Sequence, residues 1–461
     1  MPLHQIAPKL SLEQYEKNFA DITPPMTQRQ AAIEAARCLY CFDAPCIQAC
    51  PTRIDVPSFV KKIYTRNLIG SARTILDANI LGQSCGRVCP TEVLCEGACV
   101  MNEKGERAIE IGRLQRYAVD FVLDRKIALY HAGPANGKRV ACIGAGPASL
   151  AAAAQLRIWG YAVTVFDRRE WPGGLSTYGI AAYKTRAAES LREIEMIREL
   201  GVEFRQKVEV GRDISFADLE KQFDAIFIGV GLGETTALHL PGENAQGVYG
   251  ALEFIEKTKT LPFDRVEIGH RVACIGAGNT AIDVVTAARR LNAERVYLVY
   301  RRSEAEMPAF EYEFNLAKKD GVTFLWQTQP VHVVSSNGVV TGLECLHTRL
   351  GEPDVRGRRR PEPIPGSEFV VEVDMIVRAV GQKPATQFLS AVPGLRLQKS
   401  GTIAVNETQQ TGNPKYFAGG DCVNGGKEVV DAVAEGKQAA FGIDAVLGSP
   451  RGSAPAGRGR S

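Results

Sequence analysis

The chain has 461 residues, enough for about three domains at roughly 150 residues each. Hydrophobic residues make up 45%, charged residues 23%, and the formal net charge is +3. This is the composition of a core-forming globular protein, with too little charge for a nucleic-acid or anionic-membrane footprint.

The N-terminal stretch MPLHQIAPKLSLEQYEKNF has no apolar segment of the kind that marks export. The most apolar run, Val140 to Leu156, is broken by Gly144, Gly146 and Pro147 and flanked by Arg139 and Arg157, which argues against a membrane span. A soluble, cytoplasmic, multidomain protein with no nucleic-acid or membrane partner is expected.

Eight of the twelve cysteines fall between Cys38 and Cys99. They read Cys38-x2-Cys41-x4-Cys46-x3-Cys50-Pro51, Cys85-x3-Cys89-Pro90 and Cys95-x3-Cys99. A disulfide framework needs an oxidising compartment. Zinc knuckles usually pair C-x2-4-C units, often with histidine, and no histidine lies in this region. Closely spaced thiolates ending in Cys-Pro suit iron–sulfur clusters best, and the cysteine before proline then ligates the other cluster. Counting alone gives two four-cysteine clusters. Cys142, Cys274, Cys345 and Cys422 stand apart and read as buried free thiols.

The periodicity around these cysteines predicts short amphipathic helices over Pro57–Tyr64, Ser71–Asn79 and Ile109–Asp124. His131–Gly137 then reads as a linker. Beyond it, Val-Ala-Cys-Ile-Gly-Ala-Gly occurs twice, at Val140–Gly146 and Val272–Gly278. Each copy is an apolar strand entering a glycine turn and then a helix, expected over Ala148–Trp159 and Ala281–Arg290. The following strands, Ala162–Phe166 and Val296–Tyr300, run into Asp167 and Arg301. This is the βαβ dinucleotide fingerprint, in which glycines permit a tight turn, the helix N-terminus attracts pyrophosphate, and the next strand end reads the ribose. Ser149 and Ala281 replace the third glycine, where a small residue suffices.

Asp167 suits the ribose hydroxyls of FAD or NAD. Arg301 and Arg302 offer cations to a 2′-phosphate, but Glu304, Glu306, Glu311 and Glu313 follow closely and would oppose one. The residues alone leave NADH and NADPH both open. Two nucleotide sites in one chain suggest a flavin exchanging hydride with a nicotinamide. Near the C-terminus, Tyr416–Asp421 reads as a strand ending in an acid, before a helical stretch from Glu428 to Ala440, and suits the flavin's ribityl chain or pyrophosphate.

Together these residues resemble the pyridine nucleotide–disulfide oxidoreductase superfamily, in the branch with an N-terminal cysteine-rich domain. That branch includes glutamate synthase small subunits and the electron-input part of dihydropyrimidine dehydrogenases. The resemblance runs from Arg37 to about Leu447, and is closest to the nucleotide-oxidising subunits of bacterial NAD-dependent dihydropyrimidine dehydrogenases. Its specific points are Ser84–Thr91, Ile111–Gln115, Gly173–Thr177, Gly419–Asp421 and Ser149.

The resemblance implies two [4Fe-4S] clusters, one on Cys38, Cys41, Cys46 and Cys99, the other on Cys50, Cys89, Cys95 and the amide of Gln115. Cys85 would then be spare. It implies an FAD site of Gly144, Ala145, Gly146, Pro147, Ala148, Asp167, Gly174, Leu175, Gly420, Asp421 and Val429, with Lys184 as a flavin neighbour. The nicotinamide nucleotide would use Gly276, Ala277, Gly278, Asn279, Thr280, Arg301, Arg302, Ala379 and Gly381. Pro308 stands where NADPH-dependent relatives carry an arginine, and Glu311 and Glu313 where others carry basic residues, so NAD(H) is favoured over NADP(H).

The implied fold is α/β, with two Rossmann-like domains preceded by a helical cluster domain. Expected boundaries are 1–135 for the clusters, 136–251 with 383–447 for FAD, 252–382 for NAD(P), and a disordered tail over 448–461. No cysteine pair in the FAD domain has redox-active C-x-x-C or C-x4-C spacing, so a disulfide reductase is not expected. No domain remains for a further substrate. The chain reads as the NADH-oxidising part of a hetero-oligomer, whose catalytic dihydropyrimidine dehydrogenase subunit, with its own flavin, reduces uracil or thymine. A glutamate synthase partner is the alternative.

Overall fold

The computed structural model describes residues 6–353, 357 and 359–448. Of the expected tail over 448–461, only Gly448, which caps the helix Val429–Leu447, is described; the rest lies outside these residues. The chain divides into two compact units. Among the described residues, the larger combines 23–177, 188–232 and 384–448, and the smaller combines 6–22, 178–187 and 233–383. This differs from the three expected boundaries: residues 6–22 belong with the second fingerprint rather than with the cysteines, and that unit takes up the chain again at 233 rather than 252.

In the larger unit, a five-stranded parallel sheet has the spatial order Tyr416–Ala418, Ala225–Ile228, Arg139–Ile143, Ala162–Asp167, Glu203–Gln206. Val140 to Ile143 and Ala225 to Ile228 are buried throughout, as strands covered on both faces must be. The helix of the first fingerprint runs Pro147–Ile158, starting one residue before the expected position. Proline is tolerated at a helix start because its missing N–H would lack a partner there. Tyr416–Ala418 is shorter than predicted; Asp421 begins the short helix Asp421–Asn424, and Val429–Leu447 follows.

The cysteine region of this unit is built from helices. Val56–Tyr64 buries Val56, Phe59, Val60 and Ile63, a stripe at helical spacing, and Asp55 caps its first turn by accepting from Ser58 N–H. Leu68–Ala78 and Ile111–Asp124 lie close to their predicted ranges. Residues 131–136 carry no regular structure, as a linker should.

The smaller unit repeats the parallel design, in the order Val248–Gly250, Met375–Arg378, Arg271–Ile275, Arg295–Val299, Thr323–Leu325. Its fingerprint helix, Asn279–Arg290, starts two residues earlier than expected. A separate antiparallel sheet, not anticipated from the sequence, is built on the long strand Val339–Pro353, which pairs with Thr328–Ser336, Arg359–Pro363 and Phe369–Val371. No helix among the described residues is long and apolar enough to cross a membrane.

Candidate cluster and nucleotide sites

The eight clustered cysteines gather around two cavities of the larger unit. Cys38, Cys41, Cys46 and Cys99 line one, with Pro45 and Met101. Cys50, Cys85, Cys89, Cys95 and Gln115 line the other, with Val430. The crossover of Cys50 away from the rest of its run is therefore visible in the fold. Helix Ile111–Asp124 brings Gln115 to the second cavity, where its Nε2 donates to the Gly82 carbonyl at 2.7 Å.

Burial pushes the Cys46 thiol up to about 12, and also raises Cys38 and Cys95. Cys89 is raised first by its hydrogen bond with Cys85 and then by burial. Such thiols hold their protons until a metal displaces them, so a cluster supplies the countercharge that the thiolates need. The donor sets fit [4Fe-4S] groups, and the second cavity offers Cys85 as well as Gln115 for its fourth position. Among the described residues, no three His, Cys, Asp or Glu side chains form a site for a single metal ion.

In the first fingerprint, Gly144 has φ +90°, and a Cβ there would meet the Gly229 carbonyl oxygen at 2.5 Å. Only glycine combines that backbone with that contact. Ser149, at the relaxed third position, finds room because its neighbour on the sheet is Gly229, whose added Cβ would reach Ser149 Oγ at 2.2 Å. Asp167 ends its strand as expected. Its carboxylate accepts from Ala145 N–H and Arg169 N–H, both at 2.7 Å, and burial raises its pKa against those two bonds. Each carboxylate oxygen retains a second lone pair for a ribose hydroxyl. Gly173 N–H bonds to the Ala145 carbonyl at 2.8 Å, so the loop bearing Gly174 and Leu175 folds onto the turn.

Gly420 sits at φ 78°, ψ −159°, a conformation essentially confined to glycine, and donates to Glu435 at 2.6 Å. Asp421, half-buried and raised in pKa by burial, accepts from Lys427 N–H at 3.3 Å. The helix starting at Val429 is capped reciprocally by Glu428 and Asp431, so its first turn is partly satisfied by its own acids. Gly144, Asp167, Gly174, Asp421 and Val429 all belong to the larger unit.

In the second fingerprint, Gly276 has φ +128°, and a Cβ there would meet the Ala379 carbonyl at 2.2 Å. Gly278 faces open space, and Asn279 Oδ1 accepts from Phe310 N–H at 3.0 Å. Thr280 and Arg301 are exposed. Arg302 is turned aside by a bond from its Nε to the Arg359 carbonyl at 3.1 Å. Gly381, at φ +94°, accepts from Thr236 N–H at 2.9 Å.

Of the four carboxylates expected to oppose a 2′-phosphate, Glu304 and Glu311 are exposed and the other two are engaged elsewhere. Glu306 caps Ser303, accepting from its N–H and hydroxyl. Glu313 is buried and pairs with Lys184 at 2.7 Å. It thus leaves the argument for NADH. Lys184 also meets Asp283 at 2.6 Å, and these two acids outweigh the burial that would lower its pKa. The ammonium is therefore committed within the smaller unit. Sequence proximity to Arg301 was a poor guide to where Glu313 points, because its helix, Glu311–Lys319, turns that side chain into the core.

Sequence reasoning missed Glu193. This buried carboxylate, on the helix Ala187–Glu199, accepts from Gln83 N–H at 2.6 Å and from the Ser84 hydroxyl at 2.6 Å. It thereby caps the helix Gly82–Val88, which leads to Cys89. Burial pushes its pKa up to about 7. Glu189 receives Gln83 Nε2 at 2.7 Å, beside an Arg87–Asp120 pair at 2.9 Å. No local signal marks an acid 110 residues from its partner.

Residues 15–127 match the family described as dihydropyrimidine dehydrogenase domain II, 4Fe-4S cluster, and residues 138–436 match pyridine nucleotide-disulphide oxidoreductase. The glutamate synthase [NADPH] small chain of Escherichia coli is 39% identical over 452 residues, covering 95% of each chain. The NAD-dependent dihydropyrimidine dehydrogenase subunit PreT of Salmonella typhimurium is 35% identical over 429 residues, covering 93% of this chain and 97% of that one. The solved structure of Mycobacterium tuberculosis FprA in complex with NADPH shares the fold, with TM-score 0.55 and 19% identity over 69% of this chain and 84% of that chain. The chain belongs to the pyridine nucleotide–disulphide oxidoreductase family, as an FAD- and NAD(P)-dependent iron–sulfur member with an N-terminal 4Fe-4S domain.

Proposed function

We propose that this chain is the electron-input subunit of a hetero-oligomeric oxidoreductase. The observation that carries the reading is the gathering of two cysteine-lined cavities into the unit that also holds the first nucleotide turn. Asp167 and the Gly144–Ala148 turn would hold the FAD, and the turn at Gly276 would hold the nicotinamide nucleotide. Cys38, Cys41, Cys46 and Cys99 would hold one cluster; Cys50, Cys89, Cys95 and Gln115 would hold the other. The chemistry that flavin and clusters supply together is to accept a hydride's two electrons and release them one at a time. This chain's own residues orient the nucleotides, exclude water from the buried thiolates and tune the clusters through neighbouring hydrogen bonds.

The finer reading is a partner subunit, with its own flavin, that reduces uracil or thymine. Ser149, Gln115 and the Gly173–Thr177 loop support it. NADH as donor is supported by Pro308 and by the bond that draws Arg302 toward Arg359. A second reading, a glutamate-forming partner fed by NADPH, is favoured by the identity and coverage of the glutamate synthase relatives. Co-purification from the source cell, followed by assays with uracil and with glutamine plus 2-oxoglutarate, separates the two. NADH-dependent loss of uracil supports the first. Glutamate formation without uracil turnover refutes it.

A further inference from the structure

A single peptide group joins the buried Glu193 to the second cysteine cavity. Glu193 Oε1 accepts from Gln83 N–H at 2.6 Å. The carbonyl of that same peptide group, on Gly82, accepts from Gln115 Nε2 at 2.7 Å. Gln115 lines the cavity together with Cys50, Cys85, Cys89 and Cys95, and all these residues belong to the larger unit.

The polarity of this chain follows from its chemistry. A carbonyl only accepts, so the end of Gln115 at Gly82 is its donor NH2. At the far end, three donors converge on the two oxygens of Glu193. Besides Gln83 N–H, Ser84 gives its N–H at 3.1 Å and its hydroxyl at 2.6 Å to Oε2. The helix Gly82–Val88 also approaches Ile111–Asp124 at backbone distance, since a Cβ on Gly86 would meet Arg116 N at 3.0 Å and the Gly112 carbonyl at 3.2 Å. Gly82 and Gln115 are thus held face to face.

Capping alone does not call for this acid. A serine or asparagine satisfies the same kind of N–H without placing a carboxylate in the interior. What a carboxylate adds is polarisation. Resonance couples the N–H and C=O of one peptide group, so an anion at the N–H enriches the carbonyl oxygen, which then draws harder on the Gln115 N–H. A ligand whose N–H is drawn in this way becomes more basic, as metal-bound histidines do beside a carboxylate.

We propose that Glu193 is a positioning residue for the second cluster, acting through the Gly82–Gln83 peptide to orient the Gln115 amide and strengthen it as a ligand. This role rests on the reading of Gln115 as the fourth ligand. A more basic ligand favours the oxidised cluster, so Glu193 holds the cluster's potential down.

The test is a redox titration of the full chain with its cofactors, followed by the electron paramagnetic resonance of the reduced second cluster. Glu193→Gln keeps the side chain's size and removes its charge. At a fixed solution potential it should raise the reduced-to-oxidised ratio of that cluster about tenfold, or 59 mV for a one-electron couple. Ser84→Ala removes a bond to the same acid but lies off the chain, and should change the ratio by less than about threefold. Gln115→Glu keeps an oxygen ligand that is deprotonated when bound and has no N–H for Gly82. In that background Glu193→Gln should again change the ratio by less than about threefold, because the chain is already cut.

Equal shifts from Glu193→Gln in both backgrounds would mark a through-space field and overturn the proposal. So would a shift from Ser84→Ala as large as that from Glu193→Gln, which marks lost packing. A cluster signal unmoved by Gln115→Glu refutes the ligand reading and the proposal with it. One that moves with Gln115→Glu and not with Glu193→Gln refutes the role of Glu193 alone.

Discussion

The two fingerprints begin with the same residues, Arg-Val-Ala-Cys-Ile-Gly-Ala-Gly, and build the same strand and turn, yet they are finished differently. In the larger unit the first glycine is backed by Gly229, the following strand ends in a half-buried acid, and Gly436 of Val429–Leu447 packs on the fingerprint helix. In the smaller unit the backing group is Ala379, the strand ends toward exposed Arg301, and the turn is braced by Phe310 through Asn279. The repeated eight residues therefore specify a strand and a glycine turn, while their neighbours make the two turns different.

The sharpest way to break that comparison is at the close pair of helices Pro147–Ile158 and Val429–Leu447 in the larger unit. A Cβ on Gly436 would come within 2.0 Å of the Ala148 carbonyl oxygen. Gly436→Leu should therefore cost about 3 kcal/mol or more, as severe overpacking does. Purified protein should hold less than about a tenth of its flavin by absorbance, since the turn and the helix over it no longer close.

Next in size is Glu193, the buried acid that caps the helix Gly82–Val88. Glu193→Ala should cost about 2–3 kcal/mol in urea unfolding, because Gln83 and Ser84 lose a buried acceptor. The pH dependence has a definite sign. A carboxyl raised to about 7 in the folded chain binds its proton more tightly there than when unfolded, so its contribution to stability falls as pH rises from about 4.5 to 7 and then levels. The urea midpoint of the native protein relative to Glu193→Gln should accordingly be higher at pH 5 than at pH 8.

A matched pair of smaller changes sharpens the division of labour. Gly144→Ala and Gly276→Ala each force a side chain into a left-handed backbone and a carbonyl contact, at about 1–3 kcal/mol. The first should lower flavin content. The second should leave flavin bound while raising the KM for NAD(P)H at least tenfold in stopped-flow reduction. Exchange of these two outcomes would reverse the assignment of the turns.

The smallest expected effect lies at the exposed strand end. Arg301→Ala should lower kcat/KM for NADPH by about two- to fivefold, the worth of one exposed charge contact, and leave NADH unchanged. The native chain should itself use NADH better; a higher kcat/KM with NADPH contradicts the donor preference.

The turns, the strand that ends at Asp167 and the crossover of Cys50 were legible because each depends on residues close in sequence. Spacing alone then dictates geometry, and the helix starts miss by one to three residues. The antiparallel sheet around Val339–Pro353 was not legible, since its pairing joins segments whose alternation is interrupted by bulges at Val340/Gly342 and Glu344/Cys345. Glu193 and Glu313 were hidden for a related reason: each acts on a partner more than a hundred residues away. Gln115 could be named only through resemblance, because an amide has no spacing rule that marks it as a ligand beside three thiols.

The measurement that bears most directly on the central claim is the flavin, iron and sulfide content of the anaerobically purified chain, followed by its absorbance and electron paramagnetic resonance on mixing with NADH. The account predicts one FAD, about eight irons and reduction of flavin and clusters together. Zinc without flavin, or a flavin that bleaches while the clusters stay oxidised, would contradict it.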